Sequence, residues 1–122
     1  MLTEAHLSNQ IIKLLKLRGY FAYKTSDRFQ IGLPDIYYSG GGWIETKVVK
    51  CNSSFSPLLL LRPEQKIWPK RLALAGDKWR MIVGVHFPRT TIYYWTPWPI
   101  NRIYEKDCYD KLSTCLPIKT TL

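Results

Sequence analysis

Leu7, Ile11, Leu14 and Leu15 recur at helical spacing, while Lys13, Lys16 and Arg18 occupy the remaining surface. The pattern predicts a helix over residues 3–18, with Thr3 as N-cap and Gly19 at the stop. Aromatic and β-branched runs then predict strands at 20–24, 36–38 and 43–49. Ser39-Gly40-Gly41-Gly42 joins the last two and reads as a hairpin turn, because glycine reaches positive φ without steric cost. Residues 25–33 and 51–56 read as polar loops. A second helix is expected over 63–75, opened by Pro63 and closed by Gly76, with Pro69 expected to kink or split it. Strands follow at 79–87 and 91–95. Pro97-Trp98-Pro99 breaks the chain, and 100–112 reads as a final helix with a frayed tail after Pro117. The order predicts a mixed α/β (α+β) fold, one sheet flanked by helices. With 122 residues and no repeat or linker, a single domain over 1–122 is expected.

Composition narrows the partners. Apolar residues make up 46% of the chain, ordinary for a globular protein. No apolar run approaches the roughly 18 residues of a membrane span. No secretory leader pattern opens the sequence, so the cytoplasm, or a host cytoplasm for a viral chain, is the expected location. The net charge of +9 favours a polyanion such as nucleic acid over a membrane surface. Cys51, Cys108 and Cys115 are odd in number and widely spaced, and His6 and His86 are isolated. These five residues are expected to be structural, forming neither a disulfide framework nor a zinc site.

Chemistry concentrates in one hairpin. On a strand through Trp43-Ile44-Glu45-Thr46-Lys47-Val48, Glu45 and Lys47 share a face and Ile44, Thr46 and Val48 take the other. If Ser39 to Gly41 form a three-residue loop, Tyr38 pairs with Gly42 and Asp35 lies across from Glu45. Their Cβ atoms are then about 5 Å apart. Two carboxylates so placed repel unless a cation sits between them, and hard oxygen donors suit Mg²⁺. Lys47 would reach a substrate phosphate or the attacking water. A two- or four-residue loop would put Asp35 on the opposite face, barring a bulge. The alternative is an ordinary hairpin with Glu45 and Lys47 as a solvated stripe.

Gly32-Leu33-Pro34-Asp35 followed by Trp43-Ile44-Glu45-Thr46-Lys47 resembles the active-site motif of the PD-(D/E)XK nuclease superfamily. The virus-type replication-repair nuclease (VRR-NUC) domains and the archaeal Holliday junction resolvases are the most similar branches. The resemblance extends to a helix carrying Glu4 before the motif and to Leu61-Arg62-Pro63-Glu64-Gln65 after it. It covers about residues 4–86, leaving 87–122 as a C-terminal strand and helix extension. A restriction-endonuclease-like core is implied. Asp35 and Glu45 become metal ligands, the Thr46 carbonyl completes the protein ligands, and Lys47 orients or helps deprotonate water. Glu4 is implied to support a metal water or second ion, and Gln65 to hold the catalytic strand. Arg62 departs from the Ser or Thr usual at that helix start.

The implied activity is Mg²⁺-dependent DNA cleavage (Mn²⁺ substituting), by a homodimer selective for branched or four-way junction DNA. No organic cofactor and no membrane partner are expected. A nicking or restriction-type nuclease and a non-catalytic basic nucleic-acid-binding module are the alternatives. Lys24, Thr25, Ser26, Arg28, Lys50, Arg62 and Lys66 flank the motif and are the candidate DNA contacts. Trp79, Tyr93, Tyr94, Trp95 and Trp98 are expected first in the core, then at an interface.

Overall fold

The computed structural model describes residues 2–25, 31–50, 56–100 and 108–118. Helix α1 spans Glu4–Leu17, and the Thr3 side chain caps it by accepting from the His6 N–H. Its apolar stripe buries Leu7, Ile11 and Leu15 completely. Each such side chain contributes about 1.5–3 kcal/mol relative to exposure. Strands β1 (Ala22–Lys24), β2 (Ile36–Tyr38) and β3 (Gly42–Lys50) follow in antiparallel order. Helix α2 (Pro63–Leu74) then crosses over to β4 (Lys78–His86), which runs parallel to β3. The chain closes with β5 (Thr91–Pro97) and β6 (Cys108–Tyr109), both antiparallel to their neighbours.

The result is one mixed six-stranded sheet in the order β1-β2-β3-β4-β5-β6. Side-chain alternation divides it into two faces, each with its own core. Ile44 of β3 and Ile82 of β4 pack with Leu7, Ile11 and Leu15 of α1. Met81, Val83 and Val85 of β4 pack with Leu72 of α2, Leu61, Trp79 and Tyr94. Residues 81–85 are buried throughout, as expected for a central strand covered on both sides. Arg18 ties α1 to the C-terminal segment, donating to the carbonyls of Ser113, Leu116 and Pro117. Among the described residues, no helix is long and apolar enough to cross a membrane.

Two expectations are corrected. Pro69 lies inside α2, which continues through it as one helix, so it does not split the segment. A proline removes one i→i−4 hydrogen bond, and the Pro69 ring is buried in the fold. The final helix expected over 100–112 is not formed at its described end. Cys108–Tyr109 instead extends the sheet along β5, and Leu112–Cys115 is a short 3₁₀ turn. Tyr94 and Tyr93 offer an edge whose backbone groups need partners, and tertiary pairing overrides local helical pattern there. Residues 101–107 of that segment lie outside the described residues.

Candidate active site

The turn after β2 sets the geometry. Tyr38 pairs with Gly42 and Ile36 with Ile44, which is the register of the three-residue loop. Gly40 and Gly41 both adopt positive φ there. The Tyr38 ring lies where a Gly42 side chain would project, so that position admits no Cβ without displacing the ring. Continuing the register by one residue sets Asp35 opposite Glu45, and the two carboxyl groups lie within hydrogen-bonding reach.

Glu45 is 2% exposed. Burial is the largest influence on its carboxyl, the Asp35 charge adds to it, and Lys47 opposes both. The net result pushes the Glu45 pKa up to about 9. Lys47 Nζ, 3.7 Å from Glu45 Oε1, opposes burial and Asp35 but is outweighed by them. The shift favours the protonated form of Glu45.

Gln65, at the third position of α2, joins the pieces. Its Nε2 donates to Glu45 Oε1 at 3.0 Å. Its Oε1 accepts from Lys47 Nζ at 3.0 Å and from the Arg62 N–H at 2.9 Å. Two donors on one side and an acid on the other fix the amide orientation. The Arg62 bond also caps α2, so no Ser or Thr is needed where Arg62 stands.

The other side of β3 supports Asp35. Its Oδ2 accepts from the Thr46 N–H at 2.9 Å and from Thr46 Oγ1 at 2.8 Å. Thr46 Oγ1 in turn lies 3.0 Å from Ser8 Oγ of α1. The single Thr46 hydroxyl hydrogen is given to Asp35, so Ser8 donates to Thr46. Ser8 is a residue that pattern reading misses. A lone hydroxyl beside an apolar stripe does not reveal what it faces until α1 is docked on β3.

Gly32 also proves structural. It has φ +82°, and a Cβ there would come within 2.5 Å of the Glu64 carbonyl oxygen. The segment leading into Pro34-Asp35 thus rests directly against the start of α2. Trp68 Nε1 donates to the Ile31 carbonyl at 3.0 Å and fastens the same contact.

Asp35, Glu45, Lys47, Thr46 and Gln65 therefore converge. Glu4 is exposed and acts on Glu45 only as its weakest electrostatic influence. The oxygen donors fit a hard divalent cation: Asp35, whose Oδ2 is already held, beside a Glu45 carboxyl that a cation would allow to ionise. Among the described residues no group of three His, Cys, Asp or Glu side chains converges on a metal position. Backbone carbonyl and water would have to complete the coordination.

The basic candidates are dispersed. Lys24 and Lys50 are exposed, Lys66 is half-buried, and Arg62 pairs with Glu64 at 3.4 Å. The Thr25 hydroxyl donates to the Pro34 carbonyl and so braces the motif. Ser26, Arg28 and Cys51 lie outside the described residues. Cys108 is half-buried and Cys115 buried. Trp79 and Tyr94 are core residues, whereas Tyr93, Trp95 and Trp98 are half-buried, with Arg80 over the Trp95 ring at 4.3 Å.

No protein-family model matches the sequence, and no curated protein matches it. Among solved structures the chain is similar to a Holliday junction resolvase from the archaeal hyperthermophile Archaeoglobus fulgidus. The TM-score is 0.44 with 16% identity, covering 86% of this chain and 88% of that one.

Proposed function

We propose that this chain is a metal-dependent endonuclease that hydrolyses phosphodiester bonds in DNA. The observation that carries the proposal is the half-buried Asp35 set against the buried Glu45, with Gln65 hydrogen-bonded to both Glu45 and Lys47 and the Lys47 Nζ 3.7 Å from Glu45 Oε1. A buried carboxyl beside a second acid is costly to a fold, and such groups cluster at functional sites. The net charge of +9 matches a polyanionic substrate.

Asp35 and Glu45 would hold Mg²⁺, or Mn²⁺ in its place, with the Thr46 carbonyl as third protein ligand. Such an ion, when bound, polarises a phosphoryl oxygen and lowers the pKa of bound water. Lys47, held by Gln65, sets a positive charge beside the carboxylates and stabilises charge on the substrate phosphate. Gln65 holds Glu45 and Lys47 beside each other through its two hydrogen bonds. Ser8 and Thr46 hold Asp35 Oδ2, leaving its other oxygen for the cation. Glu4 is assigned to a water of the ion. Lys24, Lys50, Arg62 and Lys66 are assigned to phosphates flanking the cut.

Branched DNA, including four-way junctions, is the proposed substrate class, with a homodimer offering one site to each of two strands. The test is a panel of four-way junction, flap, linear duplex and single-stranded DNA, each incubated in Mg²⁺ and in EDTA. The expected result is Mg²⁺-dependent cutting, strongest on a branched substrate. Binding without cutting anywhere on the panel would replace this reading with a non-catalytic basic module. Preferential cutting of linear duplex would move it to a nicking or restriction-type enzyme.

A further inference from the structure

Phe21, Tyr23, Tyr37 and Trp43 form a continuous row of rings across the first three strands. Centroid distances are 5.8 Å from Phe21 to Tyr23, 5.5 Å from Tyr23 to Tyr37 and 5.0 Å from Tyr37 to Trp43. The row follows the strand register, in which Tyr23 lies opposite Tyr37 and Tyr37 opposite Trp43. It faces away from α1, because Ala22, Ile36, Tyr38 and Ile44 fill the α1 side. Trp43 is fixed at the inner end by donation from Nε1 to Asp77 Oδ2 at 2.9 Å. At the outer end Phe21 is 67% and Tyr23 48% exposed.

The position of the row gives it meaning. Tyr37 and Trp43 each lie two residues from Asp35 and Glu45 along the same strands, on the same face. The aromatic row therefore runs parallel to the carboxylate row, one step away, about 7 Å along the strand. Phe21 and Tyr23 are exposed and Tyr37 and Trp43 half-buried, and rings joined in one contiguous row mark a binding surface rather than single scattered side chains. Base stacking suits such rings, since every base has a π-face and the sheet holds successive rings at fixed spacing. The charge of +9 favours a polyanionic occupant over a second, equally charged copy of this chain. A protein partner lying flat on the row would also cover the neighbouring carboxylates.

We infer that the Phe21–Tyr23–Tyr37–Trp43 row is a stacking platform for unpaired bases of a single-stranded segment beside the cleavage site. The inference rests on the nuclease reading for its biological use, but its test does not. A labelled oligothymidylate and a blunt duplex of the same length are titrated with the full chain in EDTA, followed by fluorescence anisotropy. The Phe21→Ala/Tyr23→Ala double variant is compared with wild type and with Tyr23→Phe, and light scattering records the mass of each.

The double variant is expected to bind the oligothymidylate about ten-fold or more weakly. Duplex binding should change far less, and Tyr23→Phe should stay near wild type. Single-strand affinity equal to wild type in the double variant would overturn the platform. A shift from dimer to monomer with oligothymidylate affinity retained would overturn it as well, in favour of an interface between copies. A wild type that binds through these rings but cuts no DNA would uphold the platform and remove the nuclease reading. The reverse result would do the opposite.

Discussion

Gln65 donates to the Glu45 carboxyl through Nε2 and accepts from Lys47 through Oε1, both at 3.0 Å. One uncharged amide therefore holds the acid and the base of the site 3.7 Å apart. Gln65→Ala leaves a buried acid and a nearly buried ammonium without that bridge. A loss of about 1–3 kcal/mol in stability is expected. Cleavage should fall about ten- to a hundred-fold while DNA binding in Ca²⁺ stays near wild type. Chemical denaturation and single-turnover cleavage measure the two effects.

The raised pKa of Glu45 makes stability depend on pH. The folded chain keeps the proton up to about pH 9, whereas an unfolded glutamate loses it near its ordinary value of 4.5. The contribution is fully present below the unfolded pKa and is lost as pH rises through the folded one. In EDTA the melting temperature should therefore fall between about pH 6 and about pH 9. Glu45→Gln should flatten that slope. Mg²⁺ should raise the wild-type melting temperature more at the alkaline end, because the ligand is the deprotonated carboxylate.

Ser8→Ala breaks the chain from α1 through Thr46 to Asp35 without touching either carboxylate. The expected cost is about 1 kcal/mol in stability. The Mg²⁺ concentration for half-maximal cleavage should rise about ten-fold, since Asp35 loses part of its orientation. Thr46→Val removes the hydroxyl donor outright and should shift it further. A Mg²⁺ titration of cleavage by the two variants gives the ranking.

Gly32→Ala places a Cβ 2.5 Å from the Glu64 carbonyl oxygen at a residue with φ +82°. Backbone must move, and a destabilisation of about 1 kcal/mol or more is expected. Asp35 stands three residues on, so metal affinity should weaken with stability. Thermal melts with and without Mg²⁺ measure both.

The hairpin was legible because its information is local. The glycines marked the turn and alternation put Glu45 and Lys47 on one face, whereas the face of Asp35 hung on the loop length, which the Tyr38–Gly42 pairing fixes. The two nine-residue central strands and α1 were legible from long apolar periodicity. The strand at Cys108–Tyr109 was not, since its two residues carry no pattern and exist as strand only because β5 offers an edge. Pro69 was misleading for a related reason. Local chemistry predicts a kink or a split, whereas the helix runs on past a buried ring. Ser8 was invisible because its role depends on a contact with a residue 38 positions away.

Cleavage of a branched DNA substrate by Glu45→Gln, set beside wild type in Mg²⁺, tests the central claim most directly. Glutamine preserves the shape of the neutral side chain and its hydrogen-bonding capacity but cannot supply a carboxylate to a metal. The expected result is loss of cleavage with DNA affinity in Ca²⁺ close to wild type and a melting temperature no lower than wild type. Wild-type cleavage by Glu45→Gln would contradict the assignment of the Asp35–Glu45 pair as the metal site.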